Sequence, residues 1–311
     1  MPRYVFGPVP SRRLGLSLGI DLLPPKTCSF DCLYCEVGRT TVKLSEPQPL
    51  VPVAEVLAEA RAILETATTD VVTLAGSGEP TLHSGIGEVI AGLRDLSLKP
   101  VVLLTNGSLF WREEVVQRVL AADVIMPTLC SAYPETFARI HRPHPDITLD
   151  KVIRGIRSLR NAYTGRLAME VVLLAGINDT PQEIEALKGV LDELRADTVY
   201  LNTVARPPSD PTARAVAREK LKAVRTFLGE SAEMVVSKPL AAGSGKGLSA
   251  VEVLIEMIKR RPLRLMDVCS SLGLTKDAAE ALIRGFEVKG LIRSRKQSGE
   301  VYYTSTEDDG R

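Results

Sequence analysis

The feature that most constrains this chain is a repeated alternation of strand-length apolar runs with amphipathic helical stretches. DVVTLAG is followed by IGEVIAGLRDL, KPVVLLTNG by FWREEVVQRVLAA, and DVIMPTLC by PETFARIHR and LDKVIRGIRSLRN. RLAMEVVLLAG is then followed by PQEIEALKGVLDELR, and DTVYLNT by a loop and a helix at about residues 211–228. Ahead of these, LSLGID predicts a first strand at about residues 16–21, and VPVAEVLAEARAILET predicts a helix with Val53, Val56, Leu57, Ala60 and Leu64 on one face. Prolines and glycines in the opening FGPVPSRRLG forbid a helix there. The strand runs are apolar throughout instead of alternating, so both faces of their sheet must be covered. That pattern predicts an α/β fold with a parallel sheet under helices.

Between the first strand and the first helix lies KTCSFDCLYCEVGRT, residues 26–40, with Cys28, Cys32 and Cys35 in Cys-x-x-x-Cys-x-x-Cys spacing. A loop this short can turn three thiolates toward one point. Three thiolates hold three irons of a four-iron, four-sulfur cluster and leave the fourth iron to a ligand from outside the chain, since such clusters ordinarily take four cysteines. A structural zinc site wants four closed ligands, often in paired C-x-x-C knuckles with histidine. No second knuckle follows, and His83, His141 and His144 lie far along the chain.

The cysteine run, with Tyr34 just before the last cysteine, resembles the signature of radical S-adenosylmethionine (SAM) enzymes. The opening PVPSRRLG resembles a group within them related to the wyosine tRNA-base synthases. The resemblance covers residues 1–228 and implies a partial (β/α)6 TIM-like barrel. It also implies a [4Fe–4S] cluster on Cys28, Cys32 and Cys35 whose open iron is chelated by SAM, and an external electron donor such as flavodoxin or ferredoxin. Reductive cleavage of SAM would give a 5′-deoxyadenosyl radical that abstracts hydrogen from the substrate. Gly76-Ser77-Gly78-Glu79-Pro80 resembles the family's GGEP motif, with Ser77 in place of one glycine, and would contact the SAM amino group. Thr105, Asn106 and Gly107 would contact its ribose or methionine part. Ser131, at the end of the fourth strand (Thr128 to Ser131), would face SAM, and Gly176, Ile177 and Asn178 would pass the adenine. Cys130 reads as a small buried hydrophobe or as a side chain approaching the substrate. The wyosine synthases use an additional cluster. Only Cys130 and Cys269 remain here, in different domains, so a second cysteine-ligated cluster is not expected.

Several polar residues are candidates for substrate. Arg12 and Arg13 read either as solvated arginines or as an anion site at the cavity mouth. Asn202, Thr203 and Arg206, in NTVARPPSD, would face the same mouth, Arg206 stiffened by the prolines that follow it. Arg139 and Arg142, in FARIHRPHP, would add to an anionic subsite.

Net charge of +1 gives no global electrostatic argument for nucleic acid. Five cysteines, three of them clustered, favour a reducing cytosol over a disulfide scaffold. The opening carries no signal-type apolar region and no run reaches the length of a membrane span, so a cytoplasmic protein is expected. Residues 229–247 read as a linker, 248–305 as a small winged-helix-like domain of helix, helix-turn-helix and hairpin with its tip at Lys296–Gly299, and 306–311 as a flexible tail. The GSGKG string in the linker is not a phosphate loop: Leu240 and Gly247 stand where that motif needs a glycine and a Ser or Thr. Lys276 and Arg284 on the helix that would enter a groove are offset by Asp277, Glu280 and Glu287, while the wing carries Arg293, Arg295 and Lys296. RNA, peptide and packing roles for this domain all stay open. So do three readings of the whole: tRNA base modification, modification of a peptide or protein side chain, and an Fe–S sensor that binds DNA.

Overall fold

A computed structural model of the chain describes residues 4–235, 250–297 and 299–306. Its main sheet has eight strands. β1 (Val5–Ser11) pairs antiparallel with β2 (Gly15–Ile20), and the two-residue strands β3 (Thr27–Cys28) and β4 (Val42–Lys43) bracket the cysteine loop. Then come α1 (Val53–Leu64), β5 (Val71–Leu74), α2 (Ile86–Leu96), β6 (Val101–Thr105), α3 (Glu113–Val119) and β7 (Val124–Pro127). α4 (Pro134–His141), α5 (Leu149–Ala162), β8 (Arg166–Leu173), α6 (Pro181–Leu194), β9 (Thr198–Thr203), α7 (Arg218–Leu228) and β10 (Ala232–Met234) complete this part. The order is β1-β2-β5-β6-β7-β8-β9-β10, with every pair after β1–β2 parallel. The fold is therefore the expected α/β one, a mostly parallel sheet with helices on its outside.

The apolar strand runs explain the layering. Leu18, Ile20, Val72, Leu74, Leu103, Ile125, Leu167 and Leu201 are almost fully buried and share one core with helix residues such as Val89, Val116, Val152, Ile156 and Leu187. Each such side chain contributes about 1.5–3 kcal/mol when removed from water. Helix starts are fixed locally: Thr148 and Thr180 accept hydrogen bonds from the Lys151 and Glu183 amides, and Pro181 opens α6.

Two elements depart from the sequence reading. β1 was not expected, because VFGPVPS holds one glycine and two prolines. It is an edge strand whose register slips between Phe6 and Val9, and edges and bulges are where sheets tolerate proline. The second is β10, which pairs parallel with β9 inside the stretch expected to be linker; residues 236–249, including GSGKG, lie outside the described residues.

The C-terminal part consists of α8 (Ala250–Arg260), α9 (Leu265–Leu272), α10 (Lys276–Val288) and the antiparallel hairpin β11 (Ile292–Gln297) and β12 (Glu300–Ser305). It is not a separate bead on a string. Leu254, Met257, Ile258 and Val268 share a buried cluster with Phe6 and Val9 of β1. Tyr302 donates from its hydroxyl to the Ala205 carbonyl at 2.8 Å. Residues 307–311 of the expected tail lie outside the described residues.

Candidate active site

A cavity of about 360 Å³ opens at the C-terminal ends of β2, β5, β6 and β9. Cys28, Cys32, Tyr34 and Cys35 line one wall, with Gly76–Glu79, Thr105 and Asn106 beside them. Arg12, Arg13, Glu170, Asn202, Arg206, Arg260 and Arg261 line the other.

The cysteine loop is held from several sides. Asp31 and Leu33 donate backbone amides to the His141 and Ile140 carbonyls at the end of α4, and Ser209 and Asp210 donate to the Cys35 and Leu33 carbonyls. All three cysteines are free thiols. Burial pushes Cys28 up to about 12 and raises Cys32 and Cys35, and neighbouring thiols add to the effect on Cys32. Each sulfur nonetheless meets donors. The Phe30 and Ser29 amides favour the Cys28 thiolate and the Val37 and Gly38 amides the Cys35 thiolate. Asn106 Nδ2 lies 3.8 Å from Cys28 Sγ, and His141 Nδ1 lies 3.3 Å from Cys32 Sγ. Sulfurs half-buried, unpaired and faced by N–H groups are what anionic thiolate ligands of a cluster need. Among the described residues no three His, Cys, Asp or Glu side chains are gathered for a single metal ion; in a cluster each thiolate takes its own iron.

The neighbouring Gly76–Glu79 segment is shaped by close approach. A Cβ at Gly78 would sit 1.7 Å from the Thr27 carbonyl oxygen, so only glycine lets this turn pack on the strand that leads to Cys28. Gly76, at φ +146°, faces the Asp21 carboxylate in the same way. Asp21 accepts from the Ser77 hydroxyl at 2.6 Å and from its amide. Glu79 is a hub: its carboxylate accepts from the Thr81 amide and hydroxyl, the Thr105 hydroxyl and the Asn106 amide. Burial raises its pKa and these donors oppose the rise. Asn106 in turn donates to Ser29. Thr105 and Asn106 thus tie the glycine segment to the cysteine loop, and the Glu79 oxygen that meets Asn106 keeps one lone pair for a ligand.

Across the cavity, Arg13 pairs with Glu170, which also accepts from Asn202 at 3.0 Å. Arg12 donates to Asn202 at 3.1 Å and lies 3.8 Å from Glu36, and Arg206 donates to Glu36 at 2.8 Å. Burial opposes the Arg206 charge, but Glu36 outweighs it and raises the pKa; burial likewise opposes the Glu36 charge, and Arg206 and Arg12 outweigh it. The C-terminal part reaches in as well. Arg260 Nε donates to Asp21 at 2.8 Å, with both side chains under a tenth exposed, and Arg261 donates to the Pro10 carbonyl.

Four expected site residues sit elsewhere. Ser131 is fully buried, bonded to Glu183 and to the Tyr133 amide, so it fixes the start of α4. Pro80 is buried in the 3-10 turn Pro80–Leu82. Gly176 belongs to a tight turn and lines a separate shallow groove with Arg139. Arg142 ends α4 in the left-handed region and pairs with Asp210 at 2.6 Å, bracing the cysteine loop from outside the cavity. Cys130 lies behind Tyr34 in a buried cluster. The sequence reading passes over Asp21, Glu36, Glu170, Arg260 and Arg261. Glu170 carries a signal, a lone acid inside the apolar run RLAMEVVLL; the two C-terminal arginines carry none.

Comparison with known proteins places the chain in a family. The Radical SAM superfamily model matches residues 22–188. The chain is 33% identical over 267 residues to a UPF0026 protein of Helicobacter pylori strain J99, covering 83% of this chain and 84% of that one. It is 30% identical over 305 residues to a Brachyspira hyodysenteriae protein named GTPase Obg, covering 97% of this chain and 45% of that one. It also spans 64% of a UPF0026 protein of Methanocaldococcus jannaschii, at 39% identity over 208 residues and 66% of this chain. Among solved structures, TYW1 with a lysine–pyruvate adduct superposes with a TM-score of 0.52 at 16% identity, over 72% of this chain and 75% of that one, a likeness of fold. The protein belongs to the radical SAM superfamily. No helix among the described residues is long and apolar enough to cross a membrane.

Proposed function

We propose that Cys28, Cys32 and Cys35 hold the cluster and that the Gly76–Glu79 turn, with Thr105 and Asn106, seats SAM against it for hydrogen abstraction from a substrate in the same cavity. When bound, the cluster and SAM together supply a carbon-centred radical as oxidant. The chain's own residues do the rest. Tyr34 and Phe30 wall the cysteine side with aromatic surface that keeps water from the reacting centre. Asp21 and Glu79 hold the glycine turn against Thr27 so that its backbone meets a ligand directly. The observation that carries this reading is the convergence of three half-buried, donor-faced cysteines and the glycine turn on one cavity.

The reductant we propose is a flavodoxin or ferredoxin. The C-terminal part, taken as a winged-helix-like module, acts as a wall of the active site. Its Lys276 and Arg284 both lie within ion-pair reach of Glu280, which leaves that helix little charge to offer a nucleic-acid duplex. The test is anaerobic reconstitution with iron and sulfide, reduction by dithionite, addition of SAM and chromatographic detection of 5′-deoxyadenosine. Wild type should form it and Cys32→Ala should not; a wild-type protein with a loaded cluster and no product would overturn the proposal.

A further inference from the structure

Nine charged side chains line the cavity: the basic Arg12, Arg13, Lys26, Arg206, Arg260 and Arg261, and the acidic Glu36, Glu79 and Glu170. Most are accounted for locally. Arg13 is taken by Glu170, Arg260 by Asp21 and Glu256, and Glu79 by its four donors. Lys26 donates to the Val37 carbonyl, which leaves Arg12, Arg206 and Arg261 around Glu36, the one carboxylate of the cavity lining beside them. Three guanidiniums less one carboxylate leave two positive charges. Arg261 is the least satisfied of the three. No ion pair to a carboxylate is formed by it among the described residues, one of its terminal nitrogens meets only the Pro10 carbonyl, and its Nε is buried without a partner. Asp267, the nearby acid on α9, is held by Arg264 at 3.1 Å. Burial, and then the charge of Arg206, destabilise the Arg261 cation. A half-buried guanidinium with an unpartnered buried Nε is costly unless a ligand completes it.

We infer that Arg12, Arg206 and Arg261 form a substrate subsite for a terminal phosphate, contributed jointly by the β1–β2 turn, the loop after β9 and the end of α8. The two residual charges match a phosphate dianion better than a carboxylate or an internal phosphodiester, each of which carries one. Guanidinium forks suit phosphate oxygens in particular. The depth of the site restricts its source. Side-chain exposures of 15% for Arg12 and 8% for Arg206 put these groups inside the cavity, so a small phosphorylated molecule reaches them and a polymer backbone does not. The C-terminal module is on this account a contributor of substrate specificity.

This inference rests on reading the cavity as the SAM site, and the test separates the two. Isothermal titration of the anaerobic, cluster-loaded protein with inorganic pyrophosphate should show one site. Arg261→Gln and Arg12→Gln, changes on two different elements, should each weaken it about tenfold or more, the effect of one lost charge-assisted contact. Lys276→Gln, on the exposed face of the C-terminal module, should leave it unchanged. SAM cleavage to 5′-deoxyadenosine without substrate should persist in both arginine variants. The inference fails if pyrophosphate does not bind wild type, or binds both variants as tightly. It also fails if SAM binding falls in step with pyrophosphate binding, which would make the arginines a site for the SAM carboxylate, or if tRNA binds the same arginines while pyrophosphate does not. Loss of SAM cleavage in wild type would instead overturn the reading of the cavity itself.

Discussion

On the cysteine side of the cavity, Glu79, Thr105 and Asn106 have spent nearly all their hydrogen-bonding capacity on one another and on Ser29, whereas on the arginine side two guanidiniums share one carboxylate and a third meets only a carbonyl. The first wall is nearly complete before any ligand arrives, as a site for an unvarying cofactor should be. The second holds charge that only a ligand can balance, which suits recognition of a substrate. Preorganisation and incompleteness thus divide one cavity into two tasks.

The sharpest way to break the comparison is to cut the link between the walls. Arg260 comes from the C-terminal module, yet its partner Asp21 holds the Ser77 turn on the cysteine side, across 239 residues of sequence. Arg260→Ala leaves Asp21 buried beside hydrogen-bond donors but without its cation, a change that costs about 3–5 kcal/mol. Guanidinium denaturation of the anaerobic protein should show it, SAM affinity should fall, and the pair Asp21→Asn with Arg260→Met should recover part of the stability. A loss below about 1 kcal/mol, the range of an exposed pair, would mean the walls are independent.

A second change sharpens the account of the cysteine wall alone. His141 is fully buried among Phe30, Tyr34 and Phe137, and burial lowers its pKa to about 3, so the ring is neutral. With Nε2 buried and unbonded, Nδ1 is the nitrogen placed to donate to Cys32. Such a bond stabilises the more negative, reduced cluster. His141→Phe keeps the packing and removes the donor, so an EPR-monitored redox titration should give a lower potential with iron content unchanged. An unchanged potential would reduce His141 to a packing residue.

The fold and the cysteine wall are legible in the sequence for one reason: their signals are local. Apolar runs of strand length, Cys28 to Cys35 within one loop and Gly76 to Glu79 at one strand end are each readable in a short window. β1 is hidden because its prolines are strand breakers everywhere except at an edge or bulge. Ser131, Pro80, Gly176 and Arg142 are misplaced because strand ends are predictable while the direction of each side chain beyond them is not. Arg260 and Arg261 end an amphipathic helix, where basic residues are ordinary, and only the packing of Leu254 and Met257 on Phe6 and Val9 turns that helix end into the cavity.

The smallest expected effect lies outside both walls. Asp210 is lowered to about 2 by the Thr212 hydroxyl and amide and by Arg142. Its folded pKa is below its unfolded one, so its contribution is present above about pH 4 and lost as pH falls toward 2. Asp210→Asn should destabilise slightly at pH 7, and urea melts should show the difference shrinking with acid. A constant difference across that range would assign the effect to geometry and not to charge.

The most direct test of the whole account is the EPR spectrum of the reduced, cluster-loaded protein with and without SAM. Three cysteines leave one iron open, so SAM should change the cluster signal, and it should do so equally in Arg261→Gln. A spectrum that SAM leaves untouched, in a protein shown to carry its full complement of iron, would contradict the assignment of Cys28, Cys32, Cys35 and the glycine turn to a shared SAM site.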